Sequence, residues 1–257
     1  MLTPDSLART YNPESYADPT DQLADFERVR EYASHNPDHG RVRVGNTLDL
    51  PPSRVRAWIN GGKPDAARGV ETAREQDWID TEPNTATGDA FAVLAAATYA
   101  CGGINANHVP AWTSETSATR LLITHALSTL GVGHRTRHEA DSERPTEIVP
   151  SEDASVLGRA LQAIGVPRDF SQVDSLPTLF GKCSLATQQT CGLVWVIERG
   201  AEHTHSDILT LQMPNRGRDF REGVAMLVRT LVGDGVSIGE TTISIAPQAR
   251  ARLPLDP

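Results

Sequence analysis

The chain has 257 residues, 39% of them hydrophobic and 5% aromatic, enough to bury one large core or two to three small ones; a peptide or a fibre is excluded. Its 24 Lys and Arg against 33 Asp and Glu give a formal net charge of -9, which ordinarily counts against nucleic-acid binding. No apolar run approaches the length needed to span a bilayer, and the odd number of cysteines, Cys101, Cys183 and Cys191, argues against a disulfide framework.

The first nineteen residues, MLTPDSLARTYNPESYADP, are polar and acidic, without the basic start and apolar middle of a secretory signal. A flexible tail over 1–19 and a cytoplasmic location are therefore expected. Leu23, Phe26, Val29, Tyr32 and Ala33 then recur at helical spacing behind the potential caps Thr20 and Asp21. Asn36, Pro37 and Gly40 break that helix, and a short segment, RVRVGNTLDL, follows. In LPPSRVRAWINGGK the prolines close a turn, Ser53 can cap, Val55, Trp58 and Ile59 face inward, and Gly61 with Gly62 ends the helix. A further helix from Pro64 or Asp65 through Trp78 packs behind through Ala67, Val70 and Ala73. Residues 20–82 thus resemble the helix-turn-helix domains of transcription regulators. That resemblance places the helix from Ser53 in a DNA major groove, with Arg54, Arg56, Asn60 and Lys63 reaching base edges and phosphates.

Thr81 to Asp89 has linker composition, and a new domain begins after it. From Asp89 the order reads: a helix to Cys101, a double glycine, a polar hairpin INANHVPAWTSE, and a helix carrying Leu122, Ile123, Ala126, Leu127 and Leu130 on one face. Strand-like HRTRHE and TEIVPS and a helix EDASVLGRALQAIG complete αββαββα over 89–170. After a linker around Ser171 to Lys182 the plan restarts over 184–257. There the helix ends TCGLVWVIERG, the hairpin is HTHSDILTLQMPN, the second helix is RDFREGVAMLVRTLVGDG, the strands are VSIGE and TTISI, and PQARARL is a terminal helix. The predicted fold class is therefore α+β: an N-terminal all-α domain followed by two pseudo-symmetric αββαββα repeats.

The run LAAATYACGG near the start of one repeat, and GLVWVIERG in the other, together with this element order, resembles the LAGLIDADG homing endonucleases. The resemblance implies that the two helices pack at a pseudo-twofold axis, with small residues such as Ala96, Ala100 and Gly192 permitting close approach, while two four-stranded sheets form a saddle over the DNA major groove. In that family an acidic residue before the final glycine of each helix holds the divalent ions that activate water. Here those positions are Cys101 and Arg199. A thiol prefers softer metals than magnesium, and a guanidinium repels a cation. Glu198 is adjacent, but one step along a helix turns a side chain by about 100°, which is expected to aim it away from the shared site. No catalytic residue, metal or cofactor is expected; the His134/His138 and His203/His205 pairs have weak ligand geometry on strand or loop.

The saddle can still bind. Alternation is read as setting Ile208 apart from Thr210 and Gln212, and Ile243 and Ile245 apart from Thr242 and Ser244. The DNA-facing candidates are Asn105, Asn107, Arg135 and Arg137 in the first repeat, Thr210 and Gln212 in the second, and Arg216 and Arg218 in a loop within reach of phosphate. Of the basic residues only Lys63 and Lys182 are lysine. Acidic excess with lysine almost absent resembles the proteins of extreme halophiles, archaeal ones among them, in whose salty cytoplasm a negative charge weighs less against DNA binding. The expectation is a sequence-specific double-stranded-DNA-binding protein, a transcription regulator, acting as a monomer with an internal pseudo-dimer or as a homodimer and without a membrane partner. The alternatives are an endonuclease with an atypical metal site or an RNA-binding intron maturase; the arginine-faced helix favours duplex DNA, because A-form RNA buries its major groove.

Overall fold

The computed structural model describes residues 1–13, 15–139, 144–170 and 173–254. The chain divides into two compact units, Leu2–Ile79 and a second from Asp80 onward. Ser171 and Gln172 of the expected inter-repeat linker, and the last three residues, lie outside the described residues.

The first unit is built of helices α1 (Pro4–Ala8), α2 (Pro19–His35), α3 (Arg41–Leu48), α4 (Pro52–Ile59) and α5 (Asp65–Glu75). Within the segment expected as a flexible tail, Pro4–Ala8 form a helix. Thr3 and Ser6 form a reciprocal cap at the start of α1, and Leu2, Leu7 and Ala8 are fully buried. Burying these apolar side chains offsets the entropy of ordering the segment. Asp18, rather than Thr20 or Asp21, caps α2, its carboxylate accepting from the Thr20 N–H at 2.9 Å. Proline occupies the first helical position, where its missing N–H costs nothing.

RVRVGNTL is a full helix, α3. Asp49 in the left-handed region (φ 56°) closes it, and the Leu50 N–H returns to the Gly45 carbonyl at 2.9 Å. Gly45 is required there: a Cβ would lie 2.6 Å from the Leu50 carbonyl oxygen. The next helix starts one residue earlier than expected, at Pro52, with no side-chain cap from Ser53. Phe26 and Trp58 meet edge to face at 5.8 Å between centroids, and Val29, Val44, Val55, Val70 and Trp78 complete the core.

The second unit is mixed α and β. Its first half runs α6 (Ala86–Cys101), β1 (Gly102–Ile104), β2 (Pro110–Thr113), α7 (Ser117–Thr129), β3 (His134–Arg137), β4 (Glu147–Pro150) and α8 (Ala154–Ala163). A short 3-10 turn at Phe180–Lys182 leads into the second half. That half runs α9 (Leu185–Arg199), β5 (Gly200–His203), β6 (Ser206–Gln212), α10 (Arg218–Val232), β7 (Val236–Ile238), β8 (Thr242–Ile245) and α11 (Pro247–Arg250). The strands form two four-stranded antiparallel sheets of matching order, β1-β2-β4-β3 and β5-β6-β8-β7.

Helix α6 is buried all round from Ala90 to Ala100, as its unbroken apolar run requires, and it packs on both α7 and α9. The buried Thr98 hydroxyl is used twice: it donates to the Leu94 carbonyl and accepts from the Trp112 indole N–H at 2.9 Å. Gly192 of α9 serves a different contact from the one expected. A Cβ there would first meet the Leu227 carbonyl oxygen of α10 at 2.7 Å, so this glycine admits α10.

Candidate nucleic-acid interface

Arg56 on α4 and Asn60, which caps its C-terminal end, are exposed to solvent. Arg54 does not: its guanidinium stacks over the Tyr16 ring at 4.4 Å and donates to the phenol oxygen at 2.9 Å, while that phenol donates to the Asp25 carboxylate at 2.9 Å. Burial, then the Asp25 hydrogen bond and charge, pushes the Tyr16 pKa up to about 12, so the chain Arg54–Tyr16–Asp25 holds α4 to α2 with its phenolic proton in place. Lys63 is paired with Glu71 at 2.5 Å. Of the four candidates in this unit, two are available to a partner and two are engaged within the fold.

In the first sheet, Asn105 shapes its own hairpin: its side-chain oxygen accepts from the N–H groups of Asn107 and Val109 at 2.9 and 3.1 Å, an Asx turn. Asn107 is exposed. Register places Arg137 opposite Glu147, which is opposite Thr113, and Arg135 opposite Val149. Paired residues share a face, so both arginines lie on the side away from the buried Trp112–Ile148 pair. Arg137 reaches Glu147 at 3.5 Å; Arg135 is exposed.

In the second sheet Leu209, Leu211, Ile243 and Ile245 are buried on one face. Thr210, Gln212, Thr242 and Ser244 occupy the other. Ile208 joins that polar face at 37% exposure: residues 208, 210 and 212 have the same parity, and a period of two puts them on one side, correcting the expectation that Ile208 stands apart. Thr210 is only 6% exposed and its hydroxyl is bonded to the His203 ring at 2.8 Å, so it supports His203 instead of offering itself. Gln212 is exposed. Arg218, at the start of α10, is exposed and paired with Glu222 at 2.8 Å. Arg216 is half-buried, its guanidinium 5.3 Å over Phe170 and 4.8 Å over Phe220. It donates to the Phe170 carbonyl, and the buried Arg221 donates to the carbonyl of Arg216. The loop carrying Arg216 is thus fixed from both sides.

At the tips of α6 and α9, Cys101 and Glu198 come together. The Glu198 carboxylate accepts from Ser114 and Thr116 of the first repeat at 2.7 and 2.8 Å. Burial, and next the negative charge of Glu198, push the Cys101 thiol up to about 12. This reverses the expectation that Glu198 turns away: the 100° step is real, but the packing of α9 on α6 aims that direction at the β2–α7 turn. Arg199 is exposed and lies near enough to Arg216 for the charges to oppose. Sequence reasoning missed Ser114, Thr116, Tyr99, Trp195 and Phe170; each is an ordinary residue of its element and gains significance only from its neighbours in space.

The chemistry at the tips is a protonated thiol, a carboxylate already taken up by two hydroxyls, and a guanidinium. No helix among the described residues is long and apolar enough to cross a membrane. No family model matches the chain, and no curated protein matches it.

Proposed function

We propose that this protein binds double-stranded DNA sequence-specifically and regulates transcription, with the helical unit as a helix-turn-helix reader and the second unit as a LAGLIDADG-type saddle without nuclease activity. The observation that carries the reading is duplication: the order αββαββα occurs twice, the two sheets have the same strand order, and the helices that open the two halves, α6 and α9, pack on each other. Such a unit presents two antiparallel sheets whose outer faces can follow a groove. In the helical unit the exposed Arg56 and Asn60 supply base-edge donors and acceptors, while Arg54 positions the helix through Tyr16. Cleavage is disfavoured because Cys101 and Arg199 stand where the family keeps metal carboxylates, and Glu198 is held by Ser114 and Thr116.

Selection of bound duplexes from a random library by the full chain tests this. A defined motif is expected, and R56A and N60A should each relax it at one position at a cost of about 1–3 kcal/mol. Selected duplexes incubated with magnesium or manganese should stay intact. No enrichment, or metal-dependent nicking that is lost in E198Q, would defeat the reading.

A further inference from the structure

The C-terminal ends of α6 and α9 and the loop after β6 line a cavity of about 470 Å³, within the roughly 300–1,000 Å³ typical of small-molecule sites. Its walls include three aromatic rings, Tyr99, Phe170 and Trp195, and two guanidinium groups, Arg199 and Arg216, with the Gln212 amide beside them. None of the described lining residues is acidic. Two cations sharing one space without a carboxylate raise each other's energy, and a bound anion relieves that cost. One further donor is unused: the Trp195 indole N–H is buried without a hydrogen-bond partner, whereas the Tyr99 hydroxyl is committed to the Gly165 carbonyl at 2.8 Å. The cavity is also preformed. Tyr99 packs on Phe170 at 5.2 Å and on Phe220 at 5.5 Å, Trp195 packs on Phe220 at 5.8 Å, and Arg216 is held between Phe170 and Phe220. Little ordering therefore remains to oppose binding.

We propose that this cavity binds a small planar anion, an aromatic ring bearing a carboxylate or a phosphate, with the ring against the aromatic wall and the anionic group between Arg199 and Arg216. A duplex phosphate can use the arginines but leaves the aromatic wall unfilled, so a small molecule accounts for more of the site. The proposal is independent of the DNA-binding reading. It makes the region around the helix tips, where the LAGLIDADG resemblance places metal carboxylates, a ligand site.

The test is calorimetric titration of the full chain with salicylate and with adenosine monophosphate, followed in parallel by tryptophan fluorescence. Adenosine and inorganic phosphate separate the contributions of ring and anion. At least one of the two aromatic anions is expected to bind with a change in fluorescence, and both half-ligands to bind at least tenfold more weakly. Because Arg199 is exposed, R199A should fold normally and weaken the aromatic anion at least tenfold; R216K, which keeps the charge but loses the flat guanidinium stack, provides a second variant. Failure of both aromatic anions to bind, binding unchanged in both variants, or an R199A effect confined to duplex DNA overturns the proposal.

Discussion

Cys101 and Glu198 set a local chemistry that neither has alone. Burial first and the Glu198 charge second raise the thiol from its ordinary 9.0 to about 12, so Cys101 is protonated, and a poor nucleophile, at neutral pH. Iodoacetamide at pH 8 should leave it unmodified in the native chain, as read by peptide mass mapping. E198Q, which keeps an oxygen to accept from Ser114 and Thr116 but removes the anion, should speed its alkylation; an unchanged rate would mean the charge is not what holds the proton. The same shift makes stability depend on pH. A group whose folded pKa is raised contributes fully below its unfolded pKa and loses that contribution as pH rises toward the folded one. Cys101, and Cys183 with its thiol pushed up to about 11 by burial and then Asp89, therefore lower the melting temperature as pH climbs from 9 toward 11 and 12. In C101A this decline should be shallower. That Cys101 occupies the helix tip was legible from the letters before Gly102. That Glu198 is its neighbour was not, because the direction of a side chain on an isolated helix says nothing of what the next helix brings beside it.

Packing between elements turns on a few close approaches. The alanines of α6, Ala95, Ala96 and Ala97 among them, are completely buried, as a central helix touched by neighbours on more than one side demands. Gly192 is the tightest requirement between α9 and α10: a methyl placed there falls 2.7 Å from a main-chain carbonyl oxygen that cannot swing aside. G192A should destabilise the chain by about 1–3 kcal/mol through overpacking. G103A, where a Cβ meets nothing within 4 Å, should stay within about 0.5 kcal/mol of the parent. Denaturant melts of the two variants check this, and equal stabilities would show that α10 can retreat from α9. Most of the helices and strands, α1 and α3 excepted, were readable from periodicity and turn residues, and so was the repeated order of the second unit. The assignment of Gly192 to α10 was not, since a glycine in a helix advertises close approach without naming the partner.

For the whole molecule, charge and proposed function pull against each other. A protein that binds DNA by displacing counterions loses affinity steeply with salt. On the proposed reading, this chain, at a net charge of -9 with two lysines, would bring carboxylates toward a polyanion and take up cations on binding. Affinity then rests on base-edge bonds from groups such as Arg56 and Asn60, together with buried surface and released water. Titration of one selected duplex from low to molar potassium chloride should give a shallow or positive dependence. A steep negative slope, with binding gone at high salt, would remove the halophile argument and return the net charge to its ordinary meaning.

The sequence by itself determined the α+β class, the positions of most helices and strands, the duplicated element order, and the placing of Cys101 and Arg199 at the ends of two helices. All of these depend on local periodicity, caps and turn residues, or on counting from a glycine. It misjudged the first residues, because the polar run hid Leu2 and Leu7, whose burial depends on a surface made elsewhere in the unit. Only the tertiary structure decided which candidates are free. Arg54 and Arg216 read as surface cations in the chain, yet each is stacked on rings distant in sequence, Tyr16 in one case and Phe170 in the other. Long side chains bury their stems and select partners by proximity in space, and proximity between residues 16 and 54, or 170 and 216, exists only after the chain has folded.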